Sequence, residues 1–211
     1  MVQAMYLPKH FAEPRIDVLH DAIRRSGLAT LVSMTEDGLI ASHTPLLLDT
    51  DPAPYGTLIG HLARPNPQTR GAIGEALAIF HGPDAYVTPS WYPTKQQTGK
   101  VLPTWNYVAI HAAGPVEFFD DPDRLLEIVT RLTDRQEASR PDPWAVSDAP
   151  ADYVQAMLKG ITGFTMRITK LEGKWKMNQN RPPADRKGAA EGLHASGRPD
   201  VAELIRVDPE G

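Results

Sequence analysis

The sequence predicts a mainly β protein with peripheral helices, in which six or seven antiparallel strands form a closed or partly closed barrel. Short segments of alternating apolar and polar residues recur along the chain, and turn residues separate several of them. Helical patterns occur at the start, the middle and the end of the chain rather than between successive strands. Short links with few strand–helix alternations favour an antiparallel barrel over a parallel sheet.

The first predicted elements are a helix and a β-hairpin. Apolar residues recur at helical spacing over residues 14–26, and Gly27 is placed to end this helix. The spacing then changes to strand-like segments over residues 29–34 and 39–48. Because Asp37-Gly38 is a typical turn signal, we expect these two segments to pair as a hairpin.

A further strand is predicted over residues 57–63, where apolar and polar residues alternate again. Two prolines follow this strand, and they force a break before a short helix begins at Gln68. Residues 76–80 and 85–88 are two more strand-like segments, and the turn residues Gly82-Pro83-Asp84 lie between them. We therefore expect a second hairpin at this place.

The second half of the chain predicts two more strands and several helices. Residues 104–119 form a long strand-like region, and Asp121-Pro122 then combines a helix N-cap with a proline at the first helical position. After a polar, proline-rich connection, residues 162–171 alternate cleanly and predict the last strand. Shorter helices are predicted over residues 151–159, 184–194 and 199–205.

Composition restricts both the domain organisation and the chemistry. With 211 residues, the chain is expected to form one domain with inserted helices over residues 1–181, and a helical extension over residues 182–211 packed on it. No apolar run approaches the length of a membrane span and the N-terminus has no signal-peptide pattern, so a cytoplasmic protein is expected. The absence of cysteine excludes thiolate nucleophiles, disulfides and iron–sulfur clusters.

Motifs of several common enzyme classes are absent from the sequence. It contains no dinucleotide-binding Gly-x-Gly-x-x-Gly, no P-loop, no Gly-x-Ser-x-Gly and no His-Glu-x-x-His. The 7 histidines are scattered rather than placed at ligand spacing, so no metal site is predicted. No side chain stands out as a catalytic acid, base or nucleophile, and none is assigned.

A phosphate site is predicted around Arg64, which follows the strand over residues 57–63 and precedes the helix at Gln68. Free N–H groups at a helix start favour an anion, and a guanidinium supplies charge-assisted hydrogen bonds to phosphate. For Arg64 alone, a capped turn with a surface arginine is the alternative. Aromatic and polar residues mix over residues 86–92 and 103–107, which suits a planar heterocycle, although such rings also fill barrel cores.

Five blocks of the sequence together carry a resemblance to a known family. They are residues 5–11, 61–68, 80–92, 103–107 and 176–180. Their combination resembles the PaiB family, whose members are described as FMN-binding negative transcriptional regulators. The resemblance implies an antiparallel split β-barrel of the FMN-binding type, related to pyridoxine-phosphate-oxidase-like flavoproteins, and a homodimer with FMN at the subunit interface.

The resemblance also implies which residues hold FMN. Those expected to border the flavin ring and ribityl chain are Ser42, His43, Thr44, His61 and Leu62. Arg64 and Asn66 are expected to hold the phosphate. The residues expected to close the pocket are Trp105, Asn106, Lys176 and Gln179. Asn178 departs from the family pattern, in which a hydroxyl residue is usual at that place.

Three functions stay open at this point. The chain is expected to be an FMN-binding transcriptional regulator, a flavin-dependent oxidoreductase of unknown substrate, or a dimeric scaffold for another ligand such as haem. The net charge of −4 and the pI of about 6.0 argue against a general nucleic-acid binder. Residues 170–187 form the one clearly basic segment, so DNA is a weakly supported partner.

Overall fold

The computed structural model describes residues 2–207. Over this range the chain forms two compact units. The first unit comprises residues 2–4, 16–80 and 111–171, and the second comprises residues 5–15, 81–110 and 172–207. None of the helices in residues 2–207 has both the length and the apolar composition that crossing a membrane requires. The domain boundary predicted after residue 181 stays a prediction, and residues 208–211 of the expected extension lie outside the described residues.

The strands of the described residues are β1 Ala12–Glu13, β2 Ala29–Thr35, β3 Gly38–Thr44, β4 Leu47–Asp49, β5 Thr57–Ala63, β6 Ile73–Val87, β7 Thr104–Phe119, β8 Ile161–Arg167 and β9 Lys170–Lys176. The sheet runs in the order β3-β2-β6-β7-β8-β5-β4, and β9 joins it through β7 and pairs with β1. The pairs β2–β3, β2–β6, β4–β5, β5–β8, β7–β8 and β1–β9 are all antiparallel. The predicted antiparallel β architecture is confirmed.

The helices are α1 Ile16–Arg25, α2 Gln68–Gly71, α3 Pro93–Thr98, α4 Pro122–Glu137, α5 Ala151–Leu158, α6 Pro183–Ala195 and α7 Pro199–Ala202. The long helix α4 begins as predicted, because the carboxylate of Asp121 accepts the backbone N–H of Arg124 at 2.9 Å. Its apolar face buries Leu125, Ile128 and Leu132. Ile128 and Leu132 pack with Leu47 of β4, so α4 covers one face of the sheet in the first unit.

The first predicted hairpin is confirmed, but its second strand is shorter than expected. Thr35 pairs with Gly38 across a two-residue loop. The segment predicted over residues 39–48 is interrupted between β3 and β4, where Pro45 lies. Proline has no N–H to donate to a neighbouring strand, and this accounts for the break.

The second predicted hairpin is wrong. Residues 73–87 form the single strand β6, and Gly82-Pro83-Asp84 lie inside it rather than in a turn. A Cβ atom at Gly82 would lie 2.8 Å from Cβ of Val108 on β7. Glycine at this position therefore permits close packing between two long strands, which explains why a residue typical of turns occurs within a strand.

The last predicted strand divides into two at Ile168. Phe164, Met166 and Ile168 are buried as the alternation predicts. However, the N–H of Ile168 donates to the carbonyl of Gly56 at 3.0 Å, and that of Thr169 donates to the carbonyl of Ala113 at 2.9 Å. These bonds to other segments end β8 before β9 begins.

The core of the second unit is an apolar cluster between strand and helix residues. Its buried members are Ala85, Val87, Tyr92, Val108, Met177, Ala189, Leu193, Val201, Ala202 and Ile205. Helix α6 approaches Trp91 through two glycines one turn apart. A Cβ atom at Gly188 would lie 2.0 Å from the backbone oxygen of Trp91, and one at Gly192 would lie 2.2 Å from its indole ring. The absence of these two side chains is what allows α6 to pack so closely.

Candidate functional site

Arg64 lies between β5 and α2, and its guanidinium is held by the first unit itself. Nε donates to the carbonyl of Lys159 at 2.6 Å, and Nη2 donates to the carbonyl of Ile161 at 3.0 Å. Nη1 lies 2.8 Å from a carboxylate oxygen of Asp120. The guanidinium is therefore anchored rather than directed into bulk water. Since arginine has five N–H donors, two of them are left for a ligand.

A recess of about 220 Å³ lies beside this arginine. Its lining residues are Arg64, Thr69, Arg70, Phe118, Phe119, Asp120 and Thr162. Arg70 is exposed, and its side chain makes no hydrogen bond or ion pair within the described part of the chain. The recess thus combines an anchored guanidinium with a second one that is available to bind an anion.

Asp120 is the one carboxylate in this lining, among the residues that the structure describes. The hydroxyl of Thr162 donates to it at 2.9 Å, and Arg64 binds its other oxygen. The hydrogen bonds from Thr162 and Arg64 hold the pKa of Asp120 below its ordinary value. Because Arg64 already neutralises this carboxylate, the charge of Arg70 gives the recess a positive excess.

Ser42 and Asn66, both predicted as site residues, are in direct contact. The amide nitrogen of Asn66 donates to the Ser42 hydroxyl at 2.8 Å, and its amide oxygen accepts the backbone N–H of Gln68 at 2.9 Å. Gln68 in turn is buried and donates to the Ser33 hydroxyl at 2.9 Å. These bonds fix the turn between β5 and α2, and with it the backbone that carries Arg64 and Arg70.

The other predicted residues on β3 and β5 have different surroundings. The Thr44 hydroxyl is buried and donates to the carbonyl of His61 at 2.9 Å, which joins β3 to β5. His43 is exposed, with Nδ1 at 3.0 Å from the hydroxyl of Thr30. Leu62 is buried in the apolar core. The expectation that these residues border the flavin stays a prediction.

His61 has a partly buried imidazole. Its Nδ1 atom is buried and meets no hydrogen-bond partner within residues 2–207. Burial lowers the pKa of His61 from its ordinary value of 6.5. The ring is therefore neutral at pH 7, with a polar atom available for a ligand or a water molecule.

Folding stability is expected to fall as the pH is lowered through 6.5, because the unfolded chain then protonates His61 before the folded chain does. The loss continues until the pH reaches the lower pKa of the folded state. Urea unfolding at a series of pH values measures this dependence, and His61→Gln is expected to flatten it. A His61 imidazole signal that titrates above 6.5 in the folded protein would contradict this assignment.

Trp105 and Asn106 lie next to each other on β7 in the second unit, and their side chains differ in exposure. Trp105 is half exposed, its indole N–H donates to Asp84 at 3.1 Å, and its ring centroid lies 6.2 Å from that of Tyr86. Asn106 is fully buried, and neither its amide oxygen nor its amide nitrogen has a partner among the described residues. A buried amide without partners is costly, so Asn106 is a candidate for contact with a ligand or a bound water.

Lys176 and Gln179 make their contacts near the end of β9. The ammonium of Lys176 donates to the Thr104 hydroxyl at 2.5 Å and to the carbonyl of Trp105 at 2.7 Å. The amide of Gln179 accepts from the N–H of Met177 at 2.7 Å and donates to the carbonyl of Trp175 at 2.5 Å. Both side chains thus stabilise the chain here, and their contact with FMN stays a prediction.

Sequence reasoning missed Arg70, Thr69 and Lys174. Arg70 lies in the short helix predicted to begin at Gln68, shortly after Arg64 in the sequence. A second arginine so near the first could have been predicted to contact the same phosphate. Lys174 lies in the basic segment over residues 170–187, but nothing in the sequence distinguishes it from the other lysines of that segment. Its burial and its aromatic neighbours become visible only in the fold.

Comparison with known proteins places residues 5–170 within a family model described as "Putative FMN-binding domain". An uncharacterized protein of Aspergillus fumigatus is 36% identical, with 92% of each chain covered. The "Protease synthase and sporulation protein PAI 2" of Bacillus subtilis is 29% identical, with 96% of each chain covered. Among solved structures, the FAD and haem binding protein of Mycobacterium smegmatis matches with a TM-score of 0.57 at 17% identity, covering 78% of this chain and 73% of that one. At this level of sequence identity, the similarity to the Mycobacterium smegmatis protein shows a shared fold and nothing further.

Proposed function

Since the chain belongs to the PaiB-like family of FMN-binding, split β-barrel domains, we propose that it holds the phosphate of FMN in the recess beside Arg70 and acts through the bound flavin. The observation that carries this proposal is the exposed guanidinium of Arg70, which lines that recess and makes no hydrogen bond or ion pair with the described residues. Charge-assisted hydrogen bonds from arginine match the geometry of a phosphate group.

The residues of the first unit fit a phosphate monoester. Arg70 and the remaining N–H groups of Arg64 supply donors, and Asp120 is already bound by Arg64 and Thr162. The contact between Ser42 and Asn66 holds the turn that presents both arginines. The proposal also includes the residues expected to border the flavin, which are His43, Thr44, His61 and Leu62.

Bound FMN supplies the transfer of a hydride or of single electrons. The chain itself binds the phosphate, orients the cofactor and presents polar atoms to it. The best candidates for those polar atoms are Nδ1 of His61 and the amide atoms of Asn106, which are buried without a hydrogen-bond partner among the described residues. We assign no catalytic acid, base or nucleophile. The reaction class that follows is a flavin-dependent oxidoreduction.

Homodimerisation with FMN at the subunit interface is part of the same proposal. Tyr86 and Trp105 of the second unit are both half exposed and their ring centroids lie 6.2 Å apart, so they form an apolar patch that supports contact with a second copy. In this proposal the residues that close the pocket come from the second copy, and they are Trp105, Asn106, Lys176 and Gln179. A cytoplasmic location also belongs to the proposal.

The test is the visible spectrum and the mass of the purified protein. We expect a yellow protein that releases FMN on denaturation, with one FMN per chain, and a sedimenting mass twice the chain mass of 23.2 kDa. Reduction by dithionite should bleach the flavin absorbance reversibly. A colourless protein that does not bind added FMN would refute the proposal.

Transcriptional regulation is the second candidate function, favoured by the relative whose name refers to protease synthesis and sporulation. Much of the basic segment 170–187 is engaged within the second unit. Lys174 is buried, Lys176 donates to β7, and the guanidinium of Arg181 lies 4.9 Å from the ring centroid of Tyr92. If the protein regulates transcription by binding DNA, it should retain a specific DNA sequence at moderate salt concentration. Binding that depends only on counterion release is not sequence-specific and is lost when salt is added.

A further inference from the structure

Two lysines of β9 lie beside one tyrosine ring in the second unit. Lys174 and Lys176 are two residues apart in a strand, so their side chains leave the same face. The ammonium of Lys174 lies 5.4 Å from the ring centroid of Tyr107, and that of Lys176 lies 5.9 Å from it. The ammonium of Lys174 also lies 5.3 Å from the ring centroid of Tyr6.

These ammonium groups have fewer partners than they have N–H donors. Lys174 is only 7% exposed, and its single hydrogen bond goes to the carbonyl of Tyr6 at 3.1 Å. Lys176 donates to the Thr104 hydroxyl and to the carbonyl of Trp105. Because each ammonium has three N–H groups, both have donors left.

No carboxylate pairs with either lysine within residues 2–207. Glu13 on β1 is bound by Arg15, and Glu172 on β9 accepts the backbone N–H of Met5. Burial and the neighbouring charge of Lys174 lower the pKa of Lys176. Folded proteins rarely bury lysine without a counter-charge, so this pair is poised for the negative charge of a ligand.

We propose that Lys174 and Lys176 form an oxyanion site beside Tyr107, which binds the carboxylate or phosphate group of a small anionic substrate. This proposal rests on the proposed function and extends it by naming the class of substrate. The cofactor's own phosphate is assigned to the recess beside Arg70, so the lysine pair takes a second anion. The face of an aromatic ring attracts cations, so the Tyr107 ring helps to hold the two ammonium groups beside each other.

The test uses the FMN-loaded protein, with inorganic phosphate as the probe at constant ionic strength. In protein labelled with ¹³C at lysine Cε, the signals of Lys174 and Lys176, assigned from Lys174→Met and Lys176→Met, should move together and saturate with one midpoint. Either substitution should weaken this binding at least about tenfold, as expected for the loss of a charge-assisted hydrogen bond. Lys100→Met, which removes an exposed lysine of the same unit, should leave the midpoint unchanged.

The outcomes separate this proposal from the proposed function. Shifts that do not saturate, or that Lys100 shares, mean an adventitious ion only and overturn the site. If Lys176→Met weakens the binding of FMN but not that of riboflavin, the pair holds the cofactor's phosphate and the substrate site is wrong. If FMN does not bind but the two signals share a saturable midpoint, the proposed function fails and the oxyanion site stands. Should Lys174→Met not fold, Lys176→Met decides alone.

Discussion

Replacing Arg70 by alanine is expected to weaken FMN binding about 10- to 100-fold, the range for losing a hydrogen-bonded charge pair, and to leave riboflavin binding nearly unchanged. The physical reason is that only FMN carries the phosphate. The guanidinium of Arg70 makes no hydrogen bond or ion pair in the described part of the chain, and Asp120 keeps its bonds to Arg64 and Thr162 when Arg70 is removed. Fluorescence titration of the apoprotein with both flavins measures the two affinities.

Arg64→Ala is expected to give a different signature. The same phosphate-specific loss should occur, but the substitution also removes the bonds to the carbonyls of Lys159 and Ile161 and leaves Asp120 without its cation. The melting temperature should therefore fall in Arg64→Ala and not in Arg70→Ala. Arg25→Ala, which removes an exposed arginine of the same unit, is the control for net charge. Equal losses of FMN and riboflavin in Arg70→Ala would contradict the role assigned to Arg70.

Gly188→Ala is expected to destabilise the protein by about 2 to 3 kcal/mol, the cost typical of overpacking. Alanine in place of a helix-interior glycine normally stabilises by up to about 1 kcal/mol, so the sign of the effect is the informative result. Here the added Cβ meets the backbone oxygen of Trp91 at 2.0 Å, and a main-chain atom cannot rotate away. Gly192→Ala meets the indole ring instead, and the expected loss is of similar size.

Urea unfolding of both variants checks this prediction. Gly27→Ala is the matched control, because a Cβ atom at Gly27 has nothing within 4 Å. The double variant Gly192→Ala with Trp91→Leu should lose less than the sum of its single variants, since the smaller side chain removes the clash. If Gly188→Ala is as stable as the parent protein, helix α6 does not pack on Trp91 as described.

The sequence correctly predicts helices and strands whose ends are set by residues close to them in the chain. The strand over residues 57–63 and the cap at Asp121 were predicted correctly, because alternation and capping involve short separations along the chain. The hairpin at Gly82 failed for the opposite reason. Gly82 lies within a strand because it packs against Val108 of the neighbouring strand. The residues near Gly82 in the sequence do not indicate this contact.

The candidate site shows the same division. Ser42 and Asn66 were both predicted, and they are in contact. The availability of Arg70 and the anchoring of Arg64 could not be predicted, because they depend on Asp120 and on carbonyl groups more than ninety residues away in the chain. The sequence shows the type and spacing of residues. Which polar side chains find hydrogen-bond partners depends on contacts that form only when the chain folds.

The anchoring of Arg64 has a consequence for the order of assembly. Its two bonds to carbonyl groups span sequence separations of 95 and 97 residues, so the recess exists only after β5 has met the segment that leads into β8. Contacts of such long range close late, because forming the intervening loop costs chain entropy. A nascent or truncated chain that ends before residue 159 lacks the anchors of this arginine. With the FMN phosphate assigned to this recess as proposed, we expect FMN to bind only the completed fold and to stabilise it by mass action.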